Sequence, residues 1–397
     1  MDTKDKTNII NIFKYIVLNA IDPIRVFKEF ENELKYCGVN ISEIQCLLMD
    51  EENEQSGVIC HTTNIGGYYL VPLGPYQKAY LLNYTVLLDS ESAIKITEET
   101  NIDSNVMSDF GTLAQRPESI SEDFQNMLVY LKKADIRVQN RSYMYEDSLN
   151  IKALPNSWSP YQRLLGLHMF QRLSLDDIVH KRYITVSNDY INADDDNSAM
   201  LKAHRDQSFE IRQVWAIYAF LLEVYYLQFE GTRSLTEKVN DLIVFINTKL
   251  CCYLEYELLL AYLFFEGKEK CVKSFFQKIQ VGTKNSLKKI EGMAWDLFHI
   301  RYLPQQVFEL SSTRRVDFIV KSILTKDKSF KDCIEFNPIK RIIKVEDNIT
   351  VRYAKTPSDY FDISSINIIS NPAVIDYHQL ANELEPILLS IIEPSKI

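Results

Sequence analysis

Glycine and proline are scarce in this chain of 397 residues, at 11 and 12 residues. No Ser/Gly-rich or Pro-rich tract occurs, so the sequence gives no sign of a long flexible linker or a disordered tail. Hydrophobic residues make up 46% of the chain and aromatic residues 12%, which is enough for one large core or two of ordinary size. We therefore predict a folded globular protein whose domains pack together.

Long apolar runs are missing as well. The most apolar segment, 214–229, is about 16 residues long and carries Glu223 near its centre, whereas a membrane span needs roughly 20 apolar residues. The N-terminus lacks the basic flank, apolar region and cleavage site of a secretory signal. The seven cysteines form neither a CxxC pair nor the Cys/His spacing of a zinc site, so we expect reduced thiols. These absences predict a cytoplasmic protein without a membrane partner.

Several catalytic motifs are also missing. We find no Gly-rich phosphate loop, no Ser-His-Asp spacing and no Cys nucleophile motif, so the enzyme classes that depend on them are unsupported. The formal charge of −10 argues against a protein that coats nucleic acid without selectivity. However, segment 265–345 holds about 17 Lys and Arg against about 9 Asp and Glu, whereas the rest of the chain is acidic. A locally basic surface is therefore expected.

What is present is an alternation of strand-like and helical segments. Buried strands are predicted at 84–88, 134–138 and 318–324, the second of them after an amphipathic helix at 121–133. Strands separated by helices indicate a parallel sheet. Residues 160–303 are predicted to be mostly helical, with a polar loop at 187–199. Short strands and a last helix at 377–392 are expected after residue 330.

Acidic residues follow these predicted strands. Asp89 comes directly after the first strand and Asp327 shortly after the third, so both are expected at the sheet edge where ligands bind in open parallel sheets. Glu146 falls where a helix would begin after the second strand. Asp296 lies on a helix of about 285–303, one turn after Gly292. Each carboxylate has an ordinary alternative role as a helix cap, as a partner of a helix dipole or as an exposed side chain.

Taken together, these pieces resemble the PIN-domain nucleases. The resemblance rests on Asp89 in YTVLLDSES, Glu146 in DIRVQNRSYMYED, Asp296 in AWDLFHIRY and Asp327 in LTKDKSF, which occupy in order the four acidic positions of the family. The last two motifs, with a strand between them, are the most specific. The resemblance implies an α/β fold with a PIN-like parallel sheet core at 79–159 and 285–335, interrupted by an all-helical insertion at 160–284. Extra α/β segments would then lie at 1–78 and 336–397.

The resemblance also implies a chemistry. Clustered carboxylates repel one another, and hard divalent cations relieve that repulsion, so Asp89, Glu146, Asp296 and Asp327 would hold Mg²⁺ or Mn²⁺. Two such ions about 4 Å apart could support hydrolysis of a phosphodiester. RNA is the substrate that the family suggests, with a toxin or defence role by analogy. The side chains expected to contact the phosphates are Lys288, Lys289, Arg301, Arg314, Lys326 and Lys328.

Other interpretations remain open at this stage. Glu223, in an apolar helix where an unpaired carboxylate would be costly, is a second candidate for the central glutamate. Arg163 and His168 match the R-x4-H spacing of HEPN ribonucleases, which cleave without a metal. A third possibility is a non-catalytic interaction protein, in which the helices form a binding surface and the acids serve as caps.

Overall fold

The protein has a mixed α/β fold with two sheets. The computed structural model describes residues 3–49, 62–75, 79–84, 96–150, 158–205, 208–308, 317–367 and 375–393. Within these ranges the strands are β1 (Gln45–Leu48), β2 (Thr63–Ile65), β3 (Tyr68–Pro72), β4 (Tyr80–Asn83), β5 (Ile96–Ile102), β6 (Arg137–Gln139), β7 (Phe318–Thr325), β8 (Ile339–Val345) and β9 (Asn348–Tyr353).

The larger sheet has five strands in the order β2-β3-β7-β5-β6. Strand β5 is parallel to both β7 and β6, whereas β3 is antiparallel to β7. The central strand β7 is buried along all eight residues, which agrees with its mostly apolar sequence, FIVKSILT. Segments 134–138 and 318–324 thus contribute parallel strands as predicted, but the first of them forms a strand only at Arg137–Gln139, and the antiparallel β3 makes the sheet mixed. The carboxyl ends of β5, β6 and β7 lie at one edge of the sheet.

The smaller sheet has four antiparallel strands in the order β4-β1-β8-β9. Strand β4 belongs to this sheet and pairs with β1. Nearly all of the strand predicted at 84–88, together with Asp89, lies outside the described residues. The first strand of the parallel set is instead β5, which the sequence did not predict.

Helices cover the sheets and form the rest of the fold. They are α1 (Thr3–Asn19), α2 (Pro23–Glu29), α3 (Glu31–Tyr36), α4 (Ser104–Gln115), α5 (Glu122–Lys133), α6 (Arg141–Asn150), α7 (Trp158–Arg172), α8 (Leu175–Val179), α9 (Ser187–Arg205), α10 (Phe209–Phe229), α11 (Leu235–Phe245), α12 (Glu255–Glu266), α13 (Lys270–Phe276), α14 (Ser286–Tyr302), α15 (Lys328–Phe336) and α16 (Tyr377–Ile392). Single turns of 3₁₀-helix occur at Ile41–Glu43, Pro117–Ser119, Leu303–Gln306 and Pro357–Asp359, and a π-turn at Ile246–Leu250.

The predicted helices at 121–133, 285–303 and 377–392 are confirmed, as is the burial of the apolar helices α10 and α12. The polar loop predicted at 187–199 is wrong, because this segment is part of α9. Asp189, Ala193 and Met200 are buried on one side of α9, so a narrow buried stripe is enough to hold a helix that is otherwise polar. The domain boundaries predicted from the sequence remain predictions.

Helices α4 and α7 pack closely at one point. The Cβ atom that an alanine would place at Gly166 of α7 would lie 1.8 Å from the carbonyl oxygen of Phe110 in α4. Only glycine lets the two backbones approach this closely. Among the described residues, no helix is both long enough and apolar enough to cross a membrane.

Candidate metal centre

The centre of the site is Asp103, the residue that follows β5. Its carboxylate is buried, and Oδ2 accepts hydrogen bonds of 2.5 Å from the Thr325 hydroxyl and 2.5 Å from the Asn105 amide. Thr325 is the last residue of β7, so the bond links the carboxyl ends of two neighbouring parallel strands. The Asn105 amide also reaches Thr325, at 3.2 Å. This small network fixes Asp103 on the rigid edge of the sheet.

Two helices bring further ligand atoms to Asp103. Glu146 lies on α6, which follows β6, and His299 lies on α14. One ligand atom from each of Asp103, Glu146 and His299 lies within 4.8 Å of the other two. Glu146 is partly exposed as a whole, but its Oε2 atom is enclosed. Three elements that are distant in sequence therefore converge on a group that could hold one metal ion.

Burial and mutual repulsion disfavour negative charge on these acids. Burial raises the pKa of Asp103, and the charge of Asp327 raises it further, although the hydrogen bond from Thr325 opposes this. Burial also holds the pKa of Glu146 well above its usual range, with the negative charges of Asp103 and Asp296 adding to the effect. The same causes raise the pKa of Asp296 well above normal, against the pull of Lys278. A cation between these carboxylates would offset both the burial of their negative charge and their mutual repulsion.

His299 is the part of the cluster that most clearly lacks a structural role. The side chain is buried at 1% exposure, and neither ring nitrogen has a hydrogen-bond partner among the residues that the structure describes. Buried polar atoms are nearly always hydrogen-bonded, so burying this ring without such bonds lowers the stability of the fold. Burial lowers the pKa of His299 to about 4, which keeps the ring neutral at physiological pH. A neutral imidazole has a lone pair available for a metal ion.

The outer part of the cluster is formed by Asp327, Lys278 and Asp296. Asp327 caps α15, because Oδ1 accepts hydrogen bonds from the Ser329 and Phe330 amides. Its Oδ2 accepts a hydrogen bond of 2.6 Å from Lys278 Nζ, which lies 3.6 Å from Asp296 Oδ2. Burial alone would raise the pKa of Asp327, but the bonds from Lys278 and the helix cap lower it. Asp327 therefore serves as a helix cap through Oδ1, and its Oδ2 atom bonds to Lys278.

The structure thus brings together Glu146, Asp296 and Asp327 from the four predicted carboxylates, and adds Asp103 and His299. Asp89 lies outside the described residues. Asp103 was missed because β5, with the sequence ITEETNI, contains few of the apolar residues that mark a buried strand. The available signal was an Asp at the N-cap position, directly before the amphipathic helix α4 that begins Ser-Asn.

Glu223, the second candidate for the central glutamate, lies elsewhere. It is on α10, and the charged groups that act on it are Arg233, Asp241 and Glu230. None of these belongs to the cluster around Asp103. Glu146 is therefore the glutamate that faces Asp103.

The residues predicted to contact phosphates differ in their exposure and in their ion-pair partners. Lys326 forms an ion pair with Asp109 at 2.5 Å, and Lys328 is exposed with Asp332 beside it at 3.1 Å. Lys288 and Lys289 are exposed on α14. The guanidinium of Arg301 forms an ion pair of 3.0 Å with Glu257, whose side chain is fully buried. Arg314 lies outside the described residues.

Arg163 and His168, the pair of the metal-free alternative, bond to different carboxylates. Arg163 bonds to Asp147 at 3.2 Å, whereas His168 bonds to Asp196 at 2.8 Å. Each of these side chains thus has its own carboxylate partner.

The chain matches no protein-family model, no curated protein and no solved structure.

Proposed function

We propose that this protein is a metal-dependent PIN-like phosphodiesterase, with RNA as its substrate. The observation that carries the proposal is the convergence of Asp103, Glu146 and His299 within 4.8 Å at the carboxyl ends of the parallel strands, with Asp296 and Asp327 beside them. With Asp103 in place of Asp89, the order of the four acids along the chain is still that of the PIN-like pattern. Their elements also agree with it: a first strand, the helix after a second strand, a late helix and a Thr-x-Asp turn.

The donor set fits a divalent cation. Carboxylate oxygens are the ligands that Mg²⁺ and Mn²⁺ prefer, and the buried acids gain most from a neighbouring positive charge. The imidazole of His299 adds a nitrogen ligand, which favours a transition ion such as Mn²⁺ over Mg²⁺. Asp103, Glu146 and His299 would hold this ion. When bound, it would supply polarisation of a phosphate oxygen and a water of lowered pKa.

The protein's own contribution is position and charge. Thr325 and Asn105 hold Asp103, and the helix cap holds Asp327, so the carboxylates are placed by secondary structure and not by flexible loops. Lys326 and Lys328 flank Asp327 in the sequence and would supply positive charge to a phosphate on exchanging their ion pairs with Asp109 and Asp332. The net charge of −10 disfavours unselective binding of nucleic acid, so we propose a limited target. The preference for RNA and the toxin or defence role rest on the resemblance.

The test is a cleavage assay on labelled RNA and DNA in Mg²⁺, in Mn²⁺ and in EDTA. Wild type is compared with Asp296→Asn and with Asp241→Asn, a control whose half-exposed side chain lies away from the cluster. We expect cleavage of RNA by wild type and the control in Mn²⁺, none in EDTA, and a loss on the order of 100-fold in Asp296→Asn. Equal cleavage by wild type and Asp296→Asn would overturn the proposal.

A further inference from the structure

Lys278 is a cationic side chain beside the candidate metal centre. This residue lies two positions after α13, and its ammonium sits between the late helix and the end of β7. Nζ is 2.6 Å from Asp327 Oδ2 and 3.6 Å from Asp296 Oδ2. The side chain is 30% exposed, and Nζ lies 4.8 Å from the centre of the Phe275 ring. A cation therefore already stands between two of the four carboxylates.

The acidic cluster thereby divides into two parts. Asp103, Glu146 and His299 are mutually within 4.8 Å, which suits one ion. Asp296 and Asp327 are joined by Lys278. Both oxygens of Asp327 are in use, Oδ1 by the α15 cap and Oδ2 by the ammonium. A second divalent ion at these two acids would have to displace Lys278 from a hydrogen-bonded, charge-assisted contact.

We propose, resting on the proposed function, that the site takes one divalent ion, at Asp103, Glu146 and His299, and that the Lys278 ammonium is the built-in second cation between Asp296 and Asp327. The two-ion arrangement predicted from the sequence is replaced by one ion and one lysine. An ammonium donates three hydrogen bonds and carries a single charge, so it neutralises the outer acids and can hold a phosphate oxygen. It does not act as a second Lewis acid.

The experiment counts bound Mn²⁺ per chain on the full-length protein, by calorimetric titration and by the electron paramagnetic resonance signal of free Mn²⁺. Four proteins are compared: wild type, Lys278→Met, Lys278→Arg and Lys273→Met. Lys273 is exposed on α13 near Lys278 and serves as the matched control. We expect one ion in wild type, in Lys278→Arg and in Lys273→Met, and two ions in Lys278→Met, because only that variant removes the charge from between Asp296 and Asp327.

The wild-type count tests the proposal even if Lys278→Met fails to fold. Two ions in wild type, or one ion in a folded Lys278→Met, would overturn the role of Lys278 and leave the proposed function standing. No bound ion in wild type would overturn the proposed metal dependence itself. The two failures are therefore distinguishable.

Discussion

Thr325 donates a 2.5 Å hydrogen bond to Asp103 across 222 positions of sequence. The bond joins the ends of β7 and β5 and leaves Asp103 in one orientation at the sheet edge. The same hydroxyl accepts a hydrogen bond of 2.9 Å from the Asp327 amide. One threonine thus ties together the first and last acids of the cluster.

Replacing Thr325 with valine keeps the shape of the side chain and removes these bonds. Loss of an outer contact to a metal ligand commonly lowers metal affinity or activity by about 10- to 100-fold. We expect a weakening of this size in Mn²⁺ affinity, measured by calorimetric titration. Thr112→Val, on helix α4 with its hydroxyl bonded to the Ser108 carbonyl, is the control. Unchanged affinity in Thr325→Val would show that Asp103 is held without this bond.

Binding of a metal ion should stabilise the fold, because it relieves the repulsion between Asp103 and Glu146. An ion that binds only the folded state stabilises it by about 2.7 kcal/mol at a concentration 100 times its Kd. We expect Mn²⁺ to raise the Tm of wild type in a thermal scan, and EDTA to reverse the rise. Glu146→Gln should show a much smaller rise. The same rise in both proteins would place the ion elsewhere.

Glu223 gives a pH-dependent prediction away from the metal centre. Burial raises the pKa of Glu223 to about 7, which Arg233 opposes. The unfolded chain has a pKa near 4.3 at this position, so it loses its proton first as the pH rises. The free energy of unfolding therefore falls between about pH 4 and 7, and the penalty is fully present above pH 7.

Glu223→Gln removes this titration. Allowing for partial exposure, we expect the variant to gain about 1–3 kcal/mol in free energy of unfolding at pH 8, and little or nothing at pH 4. Urea unfolding of both proteins at the two pH values measures the difference. A gain of equal size at both would contradict the raised pKa.

The contact between α4 and α7 predicts a strong effect at Gly166. An added Cβ would lie 1.8 Å from the Phe110 carbonyl oxygen, so the helices must move apart in Gly166→Ala. We expect a loss on the order of 2 kcal/mol or more in free energy of unfolding. Gly292→Ala on α14 is the comparison, because its Cβ would meet no atom within 4 Å. Helix propensity alone should make that variant neutral or slightly more stable. Equal stability of the two variants would contradict the close approach.

The sequence predicted the parts of the fold that carry strong apolar patterns. Strand β7 and helix α10 are apolar along most of their length because they are covered on all sides. Strand β5 was not predicted, because its polar residues have tertiary partners that the local sequence pattern does not reveal. Glu99 of β5, for example, lies directly opposite Lys321 of β7 and bonds to it at 2.8 Å.

Part of the candidate site was also predictable from the sequence, and part was not. Asp296 and Asp327 stood out because a recognisable helix and strand lead to them, and both lie in the cluster. His299 is three residues after Asp296 in α14, but only the fold shows that both ring nitrogens are buried and have no hydrogen-bond partner among the described residues. Lys278 could not be assigned, because nothing in its local sequence predicts contact with Asp296 and Asp327.

The most direct test of the central claim is the rate of Mn²⁺-dependent RNA cleavage by Asp103→Asn, measured beside wild type at the same saturating Mn²⁺ concentration. The substitution keeps the size of the side chain and removes the charge at the centre of the cluster. The account predicts a cleavage rate lower by about 100-fold or more, with the fold intact by circular dichroism. A folded Asp103→Asn that cleaves RNA at the wild-type rate would contradict it.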